Sequence, residues 1–154
     1  MTRVLFVCVH NSARSQMAEA FLNTFGAGMF EAHSAGLQPG SLNPVVVEVM
    51  REEGIDISGN KTKSVFEMYD RAEQFDYVVT VCDESRAEAC PTFPGGAKKL
   101  HWGFEDPSSL ATVRSESERT GSRDDILART REIRDAIRSK ITHWIEGLKE
   151  GKDG

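Results

Sequence analysis

The residues best suited to chemistry lie near the start of the chain, in the segment C-V-H-N-S-A-R-S from Cys8 to Ser15. This segment follows a short apolar run, Val4 to Val7, and precedes residues whose apolar positions recur at helical spacing. A loop between a buried strand and a helix presents backbone N–H groups and the positive end of the helix, and both attract anions. The segment therefore predicts an oxyanion site.

Two side chains of this segment suit a tetrahedral oxyanion. Arg14 lies six residues after Cys8, so a curled loop would bring its guanidinium and the cysteine sulfur to one ligand. Arginine grips phosphate-like groups at two points, and a positive field favours the thiolate, which is the nucleophilic form of cysteine. We therefore predict Cys8 as a nucleophile, unless it is only a small buried residue at a strand end. The predicted anion-binding residues are Val9, His10, Asn11, Ser12, Ala13, Arg14 and Ser15.

Two further cysteines are placed where they could exchange disulfides with the first. Cys82 follows the apolar, β-branched residues 77–81, so in a parallel sheet it would emerge at the same edge as Cys8. Cys90 comes eight residues later, across a polar segment. A thiolate that attacks a disulfide sulfur passes the disulfide on, so this placement permits a thiol relay. The alternatives are two bystander cysteines, or a zinc site with His101, for which the spacing is unlike that of zinc fingers.

The elements that must position these cysteines alternate along the chain. Short apolar runs predict strands at residues 4–7, 29–35, 77–81 and 99–102, and helical spacing predicts helices at residues 15–25, 45–53 and 64–73. Asn43-Pro44 would open the second helix. A long helix from Asp124 would lie on the sheet with the stripe Ile126, Thr130, Ile133, Ile137, Ile141, Trp144 and Leu148. Residues 108–123 are predicted as a surface loop, and the alternation predicts a parallel α/β sheet with helices on both faces.

Composition and charge exclude several classes of protein. Of 154 residues, 39% are hydrophobic and 28% charged, which is typical of a globular domain. The net charge of −5 argues against binding nucleic acid or an acidic membrane, and three cysteines make a poor disulfide scaffold. The first apolar run is too short for a signal peptide, and no stretch suits a membrane span. We expect a cytoplasmic monomer, with residues 1–150 as one catalytic domain and 151–154 as a disordered tail.

The chain resembles a known family at several separate motifs. Its C-x5-R-S pattern within the first twenty residues resembles the low-molecular-weight tyrosine phosphatases. The fuller pattern resembles the arsenate reductase branch of that fold, in four segments: C-V-H-N-S-A-R-S-Q-M-A-E-A, S-A-G, V-C with C-P, and H-W-G-F-E-D-P. The resemblance covers nearly the whole chain. It implies a flavodoxin-like three-layer sandwich, an open sheet of about four parallel strands with helices on both faces.

This resemblance implies that three cysteines reduce arsenate to arsenite. Cys8 would attack arsenate, Cys82 would attack Cys8 so that arsenite leaves, and Cys90 would move the disulfide to Cys82–Cys90 at the surface. Thioredoxin would be the external reductant, with no bound cofactor, although glutaredoxin or a small thiol stays open as an alternative. The resemblance also implies that Asp106, followed by Pro107, is the general acid for the leaving oxygen; alone it would be an ordinary turn carboxylate.

Some members of the resembled family bind a potassium ion, and the matching set of residues is incomplete here. Asn11, Glu19 and Ser34 match, but residues 62–64 read T-K-S and lack the carboxylate. An ammonium nearby could replace the cation, so we predict no metal. Asn11 and Ser15 are expected to hold the loop in shape, with Ser15 bonded to the thiolate and Ser34 supporting the loop from the side.

Two other functions fit parts of the sequence. A low-molecular-weight tyrosine phosphatase would need only the first cysteine, but Ser108-Ser109 stands where tyrosine phosphatases usually place tyrosines, and the chain has two Tyr in all. A non-catalytic oxyanion-binding or redox-sensing domain would keep the loop and need neither the acid nor the relay. The second and third cysteines favour the reductase.

Overall fold

A computed structural model describes residues 1–82, 89–91, 93, 95–104 and 122–151. In this part of the chain, four parallel strands form one sheet in the order β2-β1-β3-β4. The predicted open parallel α/β sheet is confirmed. In chain order the elements are β1 Thr2–Cys8, α1 Arg14–Phe25, β2 Phe30–Gly36, α2 Pro44–Arg51, α3 Val65–Asp70, β3 Tyr77–Thr80, β4 Lys98–His101 and α4 Ser122–Lys149.

Strand β1 lies between β2 and β3 in the sheet. It pairs with β2 from Thr2 opposite Phe30 to Cys8 opposite Gly36, and its residues 4–7 pair with the four residues of β3. The end of β1 therefore has a neighbour on each side, and the predicted proximity of the strands that precede Cys8 and Cys82 is confirmed.

The two faces of the sheet bury different sets of residues. Val4, Phe6 and Cys8 of β1 pack with α1, α2 and α4 in one apolar cluster, which we call the major core. Leu5 and Val7 point the other way, because successive side chains of a strand alternate between faces, and they pack with α3 in the minor core. The helices thus cover both faces, as the alternation of elements predicts.

The helix boundaries differ from the predicted ones by a few residues. Asn43 caps α2 by accepting the N–H of Val45 at 2.9 Å, and Ser64 caps α3 in the same way. Helix α3 ends at Asp70 instead of residue 73, and Ala72 has a φ of 56°. A left-handed residue ends the helical repeat of hydrogen bonds, which the apolar spacing alone does not reveal.

Helix α4 begins at Ser122, so the last two residues of the predicted surface loop are helical, and residues 105–121 lie outside the described part. Its buried face is wider than the predicted stripe, because Leu127 and Ile145 are buried as well. Arg134 is also buried and donates to Glu52, the C-cap residue of α2, at 2.9 Å. Hydrogen bonds from Arg131, and then from Arg134, lower the pKa of Glu52 to about 2.

None of the helices in the residues described is both long enough and apolar enough to span a membrane. Of the tail predicted at 151–154, residues 152–154 lie outside the described part.

Candidate active site

The segment between β1 and α1, residues 8–15, forms a tight loop around the Cys8 sulfur; we call it the anion loop. The Cys8 side chain is 2% exposed. Its Sγ lies 2.8 Å from Ser15 Oγ and accepts the backbone N–H of Asn11 at 3.2 Å. Asn11 makes this turn with a φ of 55°, a left-handed conformation that asparagine tolerates better than most residues. The predicted contact between Ser15 and the sulfur is present.

The carbonyl groups of the anion loop point away from its centre. The oxygens of Cys8, Val9, His10 and Ser12 accept backbone N–H groups of residues 37, 38, 40 and 43 at 2.7–3.1 Å. Within the described residues, the N–H groups of Val9, His10, Ser12 and Ala13 donate to no protein atom. Helix α1 adds its positive end at Arg14. The loop therefore offers several N–H donors to an anion seated over Cys8.

The loop depends on a close approach of strand β2. A Cβ atom at Gly36 would lie 2.7 Å from the Val9 carbonyl oxygen and 2.8 Å from the Asn11 nitrogen. Real Cβ atoms do not approach backbone atoms so closely, so only glycine fits here. This steric requirement explains the glycine of the S-A-G motif at residues 34–36.

Arg14 is 4% exposed, and its Nη1 donates to the carbonyl oxygen of Phe104 at 3.2 Å. The guanidinium is therefore tied to the segment that follows β4. The predicted acid, Asp106, comes two residues later in the sequence and lies outside the described residues.

A second layer of polar residues supports the loop from behind, and most of these residues are not predicted from the sequence. Gln16 is fully buried and contacts Asn11 and the chain at residues 60–61. The backbone N–H of Lys63 donates to Asn11 Oδ1 at 2.9 Å. Gln16 directly follows the predicted loop residues, and this position was a signal of a supporting role. Nothing in the sequence pairs Gln16 with residues 60–63.

The residues that match the potassium ligands of the resembled family are joined by an ammonium group. Ser34 Oγ donates to Glu19 Oε1 at 2.7 Å, and Lys63 Nζ lies 3.8 Å from the same oxygen. The ammonium group of Lys63 thus lies beside the Glu19 carboxylate. In the residues described, no three His, Cys, Asp or Glu side chains converge as metal ligands would. His101 bonds instead to Thr80 Oγ1 at 2.7 Å.

The other two cysteines occupy opposite faces of the sheet. Cys82 is fully buried two residues after β3 and belongs to the major core with Cys8. Cys90 belongs to the minor core, the apolar cluster that also contains Val65, Met68 and Phe93. Burial raises the pKa of the Cys90 thiol to about 11. All three cysteines lie in described residues, and none forms a disulfide; residues 83–88, the rest of the predicted polar segment, lie outside the described part.

A buried thiol in an anion-binding loop, at the C-terminal edge of a parallel sheet, defines a class of proteins that use cysteine to act on oxyanions. The sequence pattern of the low molecular weight phosphotyrosine protein phosphatase family matches residues 3–153, and the chain belongs to this family. An arsenate reductase of Shouchella clausii is 35% identical over 143 residues, which cover 93% of this chain and 94% of that one. The Bacillus subtilis arsenate reductase is 34% identical with the same coverage.

Solved structures agree with this placement. A thioredoxin-dependent arsenate reductase of Corynebacterium glutamicum superposes with a TM-score of 0.71 at 28% identity, covering 99% of this chain and 64% of that one. A low molecular weight protein tyrosine phosphatase of T. tengcongensis gives 0.72 at 26% identity, covering 95% and 99%. The fold is therefore shared by reductases and phosphatases, and the choice between them depends on the residues of the site.

Proposed function

We propose that this chain is an arsenate reductase that reduces arsenate to arsenite through a relay of Cys8, Cys82 and Cys90, with thioredoxin as the reductant. The observation that carries the proposal is the placement of Cys82. It follows the strand that pairs with β1, and it shares the major core with Cys8. Neighbouring strands lie about 4.8 Å apart, within the Cα separation of about 4.4–6.8 Å that disulfides need. A phosphatase would have no use for a second thiol there.

The first step is binding and attack. The arsenate oxygens accept hydrogen bonds from the N–H groups of the anion loop and from the guanidinium of Arg14. The Cys8 thiolate then attacks arsenic. One oxygen leaves as water once it is protonated, and a covalent thiol–arsenate adduct results. Asp106 is the proposed proton donor, because it follows the Phe104 carbonyl that holds Arg14.

The second step reduces the arsenic. The Cys82 thiolate attacks the Cys8 sulfur, the sulfur–arsenic bond breaks, and its electron pair leaves with arsenic as arsenite. Two thiols have then supplied two electrons, and a Cys8–Cys82 disulfide remains. Attack on the bonded sulfur is ordinary thiol exchange chemistry.

The third step requires Cys90 to leave its pocket. With a pKa of about 11, the buried Cys90 thiol is protonated at neutral pH and is a poor nucleophile. Attack on Cys82 releases the Cys8 thiolate and forms Cys82–Cys90, which the thioredoxin dithiol then reduces. The relay therefore includes a change in the surroundings of Cys90 after the first disulfide forms.

The setting of the reaction is also part of the proposal. Bacterial relatives named arsenate reductase support a role in arsenical resistance and detoxification. We further propose that the chain acts in the cytoplasm as a monomer without a bound cofactor. With a net charge of −5, the attraction for arsenate is local to Arg14 and the loop amides.

A coupled assay tests the function. With thioredoxin, thioredoxin reductase and NADPH, arsenate should drive NADPH oxidation, and changing any one cysteine to serine should stop multiple turnover. Hydrolysis of an aryl phosphate in the same preparations measures the phosphatase alternative, which should survive Cys82→Ser and Cys90→Ser but not Cys8→Ser. Full reductase turnover in Cys82→Ser would contradict the relay. Glutaredoxin and a small thiol, assayed in parallel, identify the reductant.

A trapping experiment tests the order of steps. The Cys90→Ser variant, given one equivalent of arsenate, should accumulate a Cys8–Cys82 disulfide that peptide mapping detects. Arsenite release without this disulfide would contradict the second step.

A further inference from the structure

Gln16 is a buried polar residue with an unusual set of partners. It lies on the first turn of α1 and has no exposed surface, although glutamine is mostly a surface residue. Its Nε2 donates to the Asn11 carbonyl oxygen at 3.1 Å, to Asn11 Oδ1 at 3.2 Å and to the Lys61 carbonyl oxygen at 3.1 Å. Its Oε1 accepts from Asn60 Nδ2 at 3.1 Å. The side chain therefore joins the anion loop to residues 60–61.

These contacts fix which way the Asn11 amide faces. Asn11 Oδ1 receives two donors, Gln16 Nε2 and the Lys63 N–H. Turning the amide over would set its NH₂ group against both donors and leave them buried without acceptors, which is costly. The NH₂ group must therefore point toward Ser15, and Asn11 Nδ2 donates to Ser15 Oγ at 2.8 Å.

The direction of this bond controls the hydroxyl of Ser15. A hydroxyl has one proton to donate, and Ser15 Oγ already accepts from Asn11. Its own proton can then be directed to the Cys8 sulfur, 2.8 Å away. A donor aimed at sulfur stabilises the thiolate relative to the thiol.

We infer that Gln16 is a positioning residue for the nucleophile: it sets the direction of a hydrogen-bond chain that runs from Gln16 through Asn11 and Ser15 to the Cys8 thiolate. Gln16 makes no hydrogen bond to the Cys8 sulfur, and it acts through Asn11. The catalytic importance of this hydrogen-bond chain rests on the proposed reductase function. Its effect on the Cys8 thiolate does not depend on that function.

Two substitutions test this role. Gln16→Met keeps the length of the side chain and removes its donors. Gln16→Glu also keeps the length, but a carboxylate facing Asn11 Oδ1 should turn the Asn11 amide over, so that Ser15 donates to Asn11 instead of to sulfur. The measurement is the rate of Cys8 alkylation by iodoacetamide between pH 5 and pH 10, followed by peptide mass spectrometry. Gln74→Met, an exposed glutamine far along the chain, is the matched control.

The midpoint of the alkylation profile should rise by about one pH unit in Gln16→Met and further in Gln16→Glu. At a pH below both midpoints, the single-turnover rate of arsenate reduction should fall about tenfold, in step with the smaller thiolate fraction. Gln74→Met should match the wild type. A role confined to folding predicts a lower melting temperature with an unchanged midpoint, and that result overturns the inference, as does failure of both variants to fold.

The alkylation experiment uses no arsenate, so the two proposals can fail separately. A shifted midpoint in a protein that does not reduce arsenate would reject the proposed function and keep the role of Gln16. An unshifted midpoint in a protein that reduces arsenate would reject the role of Gln16 and keep the proposed function.

Discussion

Cys8 and Cys90 are two thiols of one chain that are buried to nearly the same extent, 2% and 7% exposed, in opposite surroundings. The Cys8 sulfur has a backbone N–H and a hydroxyl within hydrogen-bond distance and the start of a helix beside it. Cys90 lies among apolar side chains, and its only hydrogen bond among the described residues is a long one of 3.6 Å to the Pro91 carbonyl oxygen.

The comparison shows that burial alone does not decide the reactivity of a thiol. Two donors lie within hydrogen-bond distance of the Cys8 sulfur. Cys90 lies in an apolar cluster instead, and burial raises the pKa of its thiol. In the proposed relay, Cys8 is the thiol prepared for attack, and Cys90 is the thiol held inactive until its surroundings change.

The strongest test of the prepared thiol is Gly36→Ala. The added methyl group would collide with Val9 and Asn11 and push the N–H of Asn11 away from the sulfur. A misplacement of about 1 Å costs on the order of a hundredfold in rate, so single-turnover arsenate reduction should fall by about that factor. Gly59→Ala, where a Cβ meets nothing within 4 Å, is the control. An active Gly36→Ala would show that the loop tolerates a shift of β2.

The inactive thiol should reveal itself in the pH dependence of stability. Because folding raises the pKa of Cys90 from 9.0 to about 11, the unfolded chain ionises first as the pH rises. The native state should therefore lose stability between pH 9 and pH 11, and the full effect is about 2 to 3 kcal/mol. The Cys90→Ala variant should not lose stability in this way, because it lacks the Cys90 thiol and keeps every other titrating group.

Chemical denaturation of both proteins at pH 8 and pH 11 measures the effect. Between pH 8 and pH 11, the free energy of unfolding of the wild type should fall by that amount more than that of Cys90→Ala. A constant difference would mean that the Cys90 thiol is not buried in solution.

A smaller effect is expected from loosening the minor core. Phe93 packs edge-on against Phe75 and Tyr69, and Phe93→Leu would lose these ring contacts, each of which contributes about 0.5–1.5 kcal/mol. Opening around Cys90 should then become at least about fivefold more frequent, and alkylation of Cys90 should rise accordingly while that of Cys8 stays constant. Phe21→Leu, in the major core, is the matched control. Equal acceleration in both variants would indicate general destabilisation.

The site could be predicted from sequence where it is local in the chain. The C-x5-R-S segment contains Cys8, Arg14 and Ser15 within eight residues, so the strand end, the loop and the helix start follow one another directly in the sequence. Gln16 and Lys63 were not predicted as supports of Asn11, because they meet it across a long separation in sequence. The wider buried face of α4 was missed for a similar reason, since Leu127 and Ile145 are buried by tertiary contacts rather than by their place in the stripe.

By itself, the sequence determined the alternation of strands and helices and the loop that holds Cys8 and Arg14, because apolar period and turn chemistry act over a few residues. Only the tertiary structure decided that Cys82 shares a core with Cys8 while Cys90 lies on the other face of the sheet. The strand order and the packing of helices on each face are set by contacts between distant residues, and no local pattern specifies them. The environments of the three thiols, and with them the proposed order of the relay, therefore depend on the tertiary structure.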